Sequence, residues 1–194
     1  MAVWRLATIL AGLVLALGVV AAVLDLTGLV VPISAADSFS MAPILPACNG
    51  RELAESITYR FRNPRRGEIV AIHSHDLVGA NVTPDSNAHQ TTLTKRVIAV
   101  PGDTISAAHG YVSVDGKKAD SIHTLPFPTV HLAHGQYFVL GDNRSASQDS
   151  RVFGPVPRKA IYARIVLIFW PLHRFGIPGY DKAARSPGFV CTQH

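Results

Sequence analysis

The hydrophobic pattern divides the chain in two. From Leu6 to Leu24 no side chain is charged, and the run is built from Leu, Ala, Val, Ile, Gly and a single Thr. As a helix rising about 1.5 Å per residue it spans roughly 28 Å, enough to cross a hydrocarbon core. Asp25 interrupts, and Leu26 to Ile33 extends the apolar stretch. The pattern predicts a short N-terminal tail over residues 1–5 and a transmembrane anchor over 6–31. Arg5 and the α-amino group lie on the short side, and no Lys or Arg follows until Arg51. The positive-inside rule then puts residues 32–194 on the extracytoplasmic side. Ser34-Ala35-Ala36 also has the small-x-small form of a cleavage site, so a removable leader is an alternative reading.

Beyond the anchor the apolar positions alternate with period two, the mark of strands with one buried face. Ile57–Arg62, Glu68–Ile72, Thr92–Val100, Gln136–Leu140 and Ile161–Trp170 are predicted strands, and the last is too short to cross a bilayer. Residues 48–55 are weak strand formers, and Pro126–His134 reads as irregular. Tyr111–Val114, Asp115-Gly116 and Lys117-Lys118 predict a hairpin, because Asp-Gly supplies the positive φ angles of a tight turn. Gly79–Gln90 reads as a surface loop. Gly141–Ser150 is a second loop, carrying Asp142, Asn143, Arg144, Ser145, Ser147, Gln148 and Asp149 between two strands. The expected fold is a mainly antiparallel β domain on one N-terminal helix.

Composition narrows the function. At 194 residues the chain suits one domain plus an anchor, and its net charge of +5 is modest. A nucleic-acid binder needs a basic stripe with aromatic platforms, and only the cluster from Arg60 to Arg66 comes near that, so no nucleic-acid partner is expected. Cys48 and Cys191 form neither a C-x-x-C pair nor a metal spacing, and one bridge between them is left open. His73 and His75 alternate on a strand end and His131 and His134 flank a loop, without the converging ligands a zinc site needs. No metal and no cofactor are expected.

Two features suggest chemistry. Ser38 and Ser40 stand one residue apart where the apolar segment gives way to polar chain. Lys95 shares a strand face with Leu93, Val97 and Ala99. Burial there would lower its pKa and leave an amine able to take a proton from a serine. A lysine snorkelling from an edge strand fits the same pattern.

Taken together, four runs resemble bacterial type I signal peptidase, a membrane-anchored Ser–Lys endopeptidase. Ser38-Phe39-Ser40-Met41-Ala42-Pro43 resembles its nucleophile box, and Lys95 through Asp103 its lysine box. Gly141 through Arg151 resembles its Gly-Asp-Asn-Arg box, and Arg66-Gly67-Glu68-Ile69-Val70 the strand box between the first two. The resemblance implies Ser40 as nucleophile, Lys95 as general base, and the Ser38 hydroxyl with the Ser40 N–H as oxyanion hole. It implies Ser147 as the residue orienting the lysine. Gly141, Asp142, Asn143, Arg144, Asp149 and Arg151 would support the site, and Phe39 and Met41 would meet substrate. It further implies a monomer in the inner membrane, single-pass, removing signal peptides from preproteins with small residues at −1 and −3. Substrate would bind as an added strand. Residues 104–135 would be a small version of the family's variable insertion. Asp37, Phe39 and Ile44 depart from the usual residues beside the cleft. Within the same chemistry, a conjugative-transfer peptidase or self-cleaving repressor is a rival. A catalytically dead binding module is another.

Overall fold

The structure, a computed structural model, describes residues 2–26, 30–35, 39–47, 49–77 and 92–179. Helix α1 runs Ala2–Leu26. Its described side chains, among them Leu6, Ile9, Leu10, Leu13, Val14 and Leu15, are exposed and apolar. Among the described residues no helix is long and apolar enough to cross a membrane. The apolar stretch does not continue as helix to residue 31, because strand β1 occupies Val30–Ala35. β-branched Val30 and Ile33 fit a pleated strand, and β1 is the outermost strand of its sheet, where a proline is tolerated.

The remaining strands are β2 (Gly50–Glu55), β3 (Ile69–His73), β4 (Thr92–Ala99), β5 (Thr104–Ala108), β6 (Tyr111–Val114), β7 (Lys117–Lys118), β8 (Phe127–His131), β9 (Gln136–Leu140), β10 (Val156–Pro157) and β11 (Ile161–Trp170). They form a seven-stranded sheet in the order β1-β2-β11-β3-β4-β9-β10 and a four-stranded sheet in the order β7-β6-β5-β8. Every pairing between these strands is antiparallel. The predicted mainly antiparallel β domain is therefore present. The hairpin at Asp115-Gly116 has φ of 52° and 75° at those two residues, as its tight turn requires.

Three predictions fail locally. Ile57–Arg62 is not a strand: helix α2 occupies Thr58–Phe61. The Glu55 carboxylate accepts from the Thr58 N–H at 2.9 Å, satisfying a first-turn donor, while Tyr59 and Arg62 both reach Glu68. The strand lies just upstream, where Gly50–Glu55 is clamped between β1 and β11. Pairing on both sides and burial of Ala54 override its weak propensity. Phe127–His131 is the outermost strand β8 rather than irregular chain, with Pro128 again tolerated at an edge. The Gly79–Gln90 loop, Cys48 and Cys191 lie outside the described residues.

The seven-stranded sheet is covered on both faces. Val70, Ile72, Val97, Tyr137 and Val139 pack together with Phe153 of the short helix α3 (Ser150–Phe153). Ile69, Ala71, Ala163 and Ile165 instead meet Met41, Ile44 and Leu45. A third cluster joins the sheets through Ile98, Ile105, Val112, Phe138 and Leu140. Leu93 packs against the first cluster and Val97 belongs to it, as alternation predicts, and Lys95 opposite Val70 lies between them in register. Ala99 does not share that cluster. An irregularity between Val97 and Ala99 shifts it into the third.

Candidate active site

Ser40 sits in a single turn of 3-10 helix, Phe39–Met41. The turn is anchored from below, because Met41, Ile44 and Leu45 are buried in the sheet-facing cluster. Met41 was expected to meet substrate. At 3% exposed it is a core residue that holds the turn down, while its neighbour Phe39 is exposed. From the far end of the chain Arg174 donates to the carbonyls of Pro43 and Ile44. No pattern in the sequence marks Arg174 for this contact.

Lys95 Nζ donates to Ser40 Oγ at 2.9 Å and to its neighbour's carbonyl, Thr94 O, at 3.0 Å. Only 4% of Lys95 is exposed. Burial lowers its pKa from the ordinary lysine value to about 8, opposed in part by the Asp149 carboxylate. A buried hydroxyl and an amine that loses its proton near pH 8 thus share one hydrogen bond, the arrangement of an activated nucleophile with its base.

The polar loop closes the site from the other side. Asn143 N donates to Ser40 O at 3.0 Å, fixing the nucleophile's backbone. Gly141 is required by close approach: a Cβ there would lie 2.3 Å from Ser147 Oγ and 2.5 Å from Ser40 O. Asp149 accepts from Gly141 N at 3.0 Å, and Arg151 donates to both its carboxylate oxygens, at 2.7 and 2.8 Å. Arg151 also reaches Arg144 O and Thr124 Oγ1, tying the loop to the linker from the small sheet.

A buried ion pair braces the loop's start. Arg96 donates to Asp142 Oδ1 at 2.7 Å and Oδ2 at 2.6 Å, with both side chains almost wholly buried. Arg144 pairs with Asp120 and donates to Gly141 O at 2.9 Å. Asp120 belongs to the small-sheet segment, and its distance in sequence hides the contact. The Arg96 contact had a signal in the sequence, a second cation following Lys95 on a buried strand.

Ser147 Oγ is buried and has no hydrogen-bond partner in this structure, so the expected contact with Lys95 is not made. Ser38 lies outside the described residues. Among the described residues no group of three or more His, Cys, Asp or Glu converges as metal ligands. His73 instead stacks on Tyr162 with ring centroids 4.0 Å apart.

Comparison with known proteins shows the family of the chain. Residues 6–170 match the family described as "Signal peptidase, peptidase S26". A probable signal peptidase I-2 of Synechocystis sp. is 38% identical over 161 residues, covering 80% of this chain and 70% of the relative. Signal peptidase I of Leptolyngbya laminosa is 35% identical, covering 72% and 68%. A mitochondrial ATP-independent inner membrane protease subunit 1b of Arabidopsis thaliana is 38% identical, covering 71% and 69%. The chain belongs to the S26 signal peptidase family and is a hydrolase of the serine peptidase class.

Proposed function

We propose that this protein is a membrane-anchored endopeptidase that removes signal peptides from exported preproteins, with Ser40 as nucleophile and Lys95 as general base. The 2.9 Å hydrogen bond from Lys95 Nζ to Ser40 Oγ carries the reading. Neutral Lys95 takes the Ser40 proton as Oγ attacks the carbonyl carbon. The oxyanion is met by the Ser40 N–H and the Ser38 hydroxyl, donors of a kind worth about 2.7–4 kcal/mol each at the transition state. Lys95 then gives its proton to the departing amine. A water activated by the same amine releases the acyl group from Ser40. Ser147 orients the amine once substrate is bound, and Asp142, Asn143, Arg144, Asp149 and Arg151 hold the loop around it.

The strand ladder supports how substrate is held. Among the described residues β9 pairs with β4 only from Arg96 onward, which leaves that edge of Thr92–Lys95 without a strand partner there. An extended acyl-side segment added there places its carbonyl at Ser40, with small residues at −1 and −3 against the shallow surface. The uncharged run in α1 supports the anchor and Arg5 its cytoplasmic end, which puts the proposed catalytic domain on the extracytoplasmic side of the inner membrane.

The test is cleavage of a preprotein ending its leader in Ala-x-Ala. Ser40→Ala and Lys95→Ala should each abolish it while circular dichroism stays unchanged. Cleavage surviving in either variant would overturn the dyad. Recovery of the protein in the carbonate-washed membrane pellet tests the anchor.

A further inference from the structure

A cleft of about 630 Å³ opens beside the turn that carries Ser40. One wall is Ala42, Pro43 and Leu45, from the turn that follows the nucleophile. The other is Asn143 and Ser145, and Ile122 of the small-sheet linker stands at its rim. Phe39, adjacent to the nucleophile, also lines it, whereas Lys95 and Thr92–Thr94 do not.

We propose that this cleft binds the first residues on the leaving-group side of the scissile bond and selects uncharged, apolar side chains there over basic ones. The inference rests on the peptidase reading above, which places the acyl segment on Thr92–Lys95. The cleft adjoins the nucleophile through Phe39, Ala42 and Asn143 and shares no lining residue with Thr92–Lys95, so a chain paired to that edge would meet it only after crossing Ser40.

Its walls are held in place before substrate arrives. Asn143 N donates to Ser40 O at 3.0 Å, coupling one wall to the nucleophile. Arg174, itself a lining residue, donates to Ile44 O at 3.1 Å and holds the other. The Asp120–Arg144 ion pair, with side chains 7% and 3% exposed, fastens the Ile122 linker to the loop. A pre-formed pocket whose lining charges Asp142 and Arg144 are already paired, with His123 as a further polar lining residue, is built to take a side chain. The lining carboxylate Asp142 is neutralised by Arg96, and Arg144 by Asp120, so Arg174 leaves a positive excess that disfavours Lys or Arg.

The test uses full-length protein in detergent and peptides with a constant Ala-x-Ala leader end, carrying Leu or Lys at the two positions after the bond. The Leu peptide should be cut with about tenfold higher kcat/KM, the scale set by filling or fouling an apolar pocket. Ile122→Glu, at the half-buried rim, should shrink that ratio several-fold or invert it, leaving the preference for Ala over Val at −1 unchanged. Ser145→Glu, on the exposed loop, should act in the same direction. A wild-type ratio near one overturns the proposal, as does a ratio unmoved in both variants. A changed −1 preference also overturns it, since the cleft would then lie on the acyl side. If wild type cuts none of the peptides, the peptidase reading itself has failed, a result distinct from indiscriminate cleavage.

Discussion

Lys95 Nζ and Ser40 Oγ meet at 2.9 Å although their residues are 55 positions apart in the chain. At neutral pH the amine, with its pKa lowered to about 8, is still mostly protonated and has no lone pair to offer the hydroxyl. Activity must wait for a proton to leave. With the Lys95 pKa lowered to about 8, kcat/KM should rise through that pH and level off above it. A pH profile on a peptide substrate checks this, and a profile flat from pH 5 to 10 would remove Lys95 as base.

The same burial costs stability. The unfolded chain keeps Lys95 protonated up to its ordinary value of 10.5, while the folded protein releases the proton near 8. The penalty is therefore fully present below pH 8, on the order of 3 kcal/mol, and is relieved as pH rises toward the unfolded value. Lys95→Met should be inactive yet more stable than wild type at pH 7, with the gain shrinking by pH 10. Chemical denaturation at the two pH values measures it.

Removing half of the buried Arg96–Asp142 pair should be severe. Asp142→Ala leaves a desolvated guanidinium without its carboxylate, a change that typically costs about 3–5 kcal/mol. Urea denaturation should show that loss, and residual activity should fall with it because the loop that grips Ser40 starts here.

Gly141→Ala tests the tightness of the site. The new Cβ would fall 2.5 Å from Ser40 O, so the nucleophile's backbone must move. A displacement of about 1 Å is enough to cost roughly a hundredfold in rate. Single-turnover kinetics should show that drop, with secondary structure retained.

Ser147 separates resting from working geometry. Its buried hydroxyl has no partner in the structure, and such a group costs about 1–3 kcal/mol. Ser147→Ala should hold or raise stability while kcat falls, if the hydroxyl engages Lys95 only with substrate in place. An unchanged kcat would remove Ser147 from the orienting role.

Much of this was legible in the chain because strands announce themselves by alternation. Leu93, Lys95 and Val97 kept their predicted face, and the Asp115-Gly116 turn adopted the angles its residues favour. What was hidden depended on distant neighbours. Gly50–Glu55 is a strand because β1 and β11 flank it, and Thr58–Phe61 a helix because Glu55 accepts from its first turn. Ala99 left its face through a ladder irregularity that hydrophobicity does not encode. In the site, Ser40 and Lys95 were readable through their motifs. Asp120 and Arg174 were not, since each acts through one long-range contact with no local pattern.

Strand β4 carries Lys95 and Arg96 side by side, one toward the nucleophile and the other toward Asp142. Base and brace are thus written in consecutive letters of one pleat. Sliding the strand by one position would misplace both at once, because adjacent residues point to opposite faces. Length changes in the β5–β8 hairpins leave that frame intact. A single residue inserted between Thr92 and Arg96 would silence the enzyme without touching any catalytic side chain.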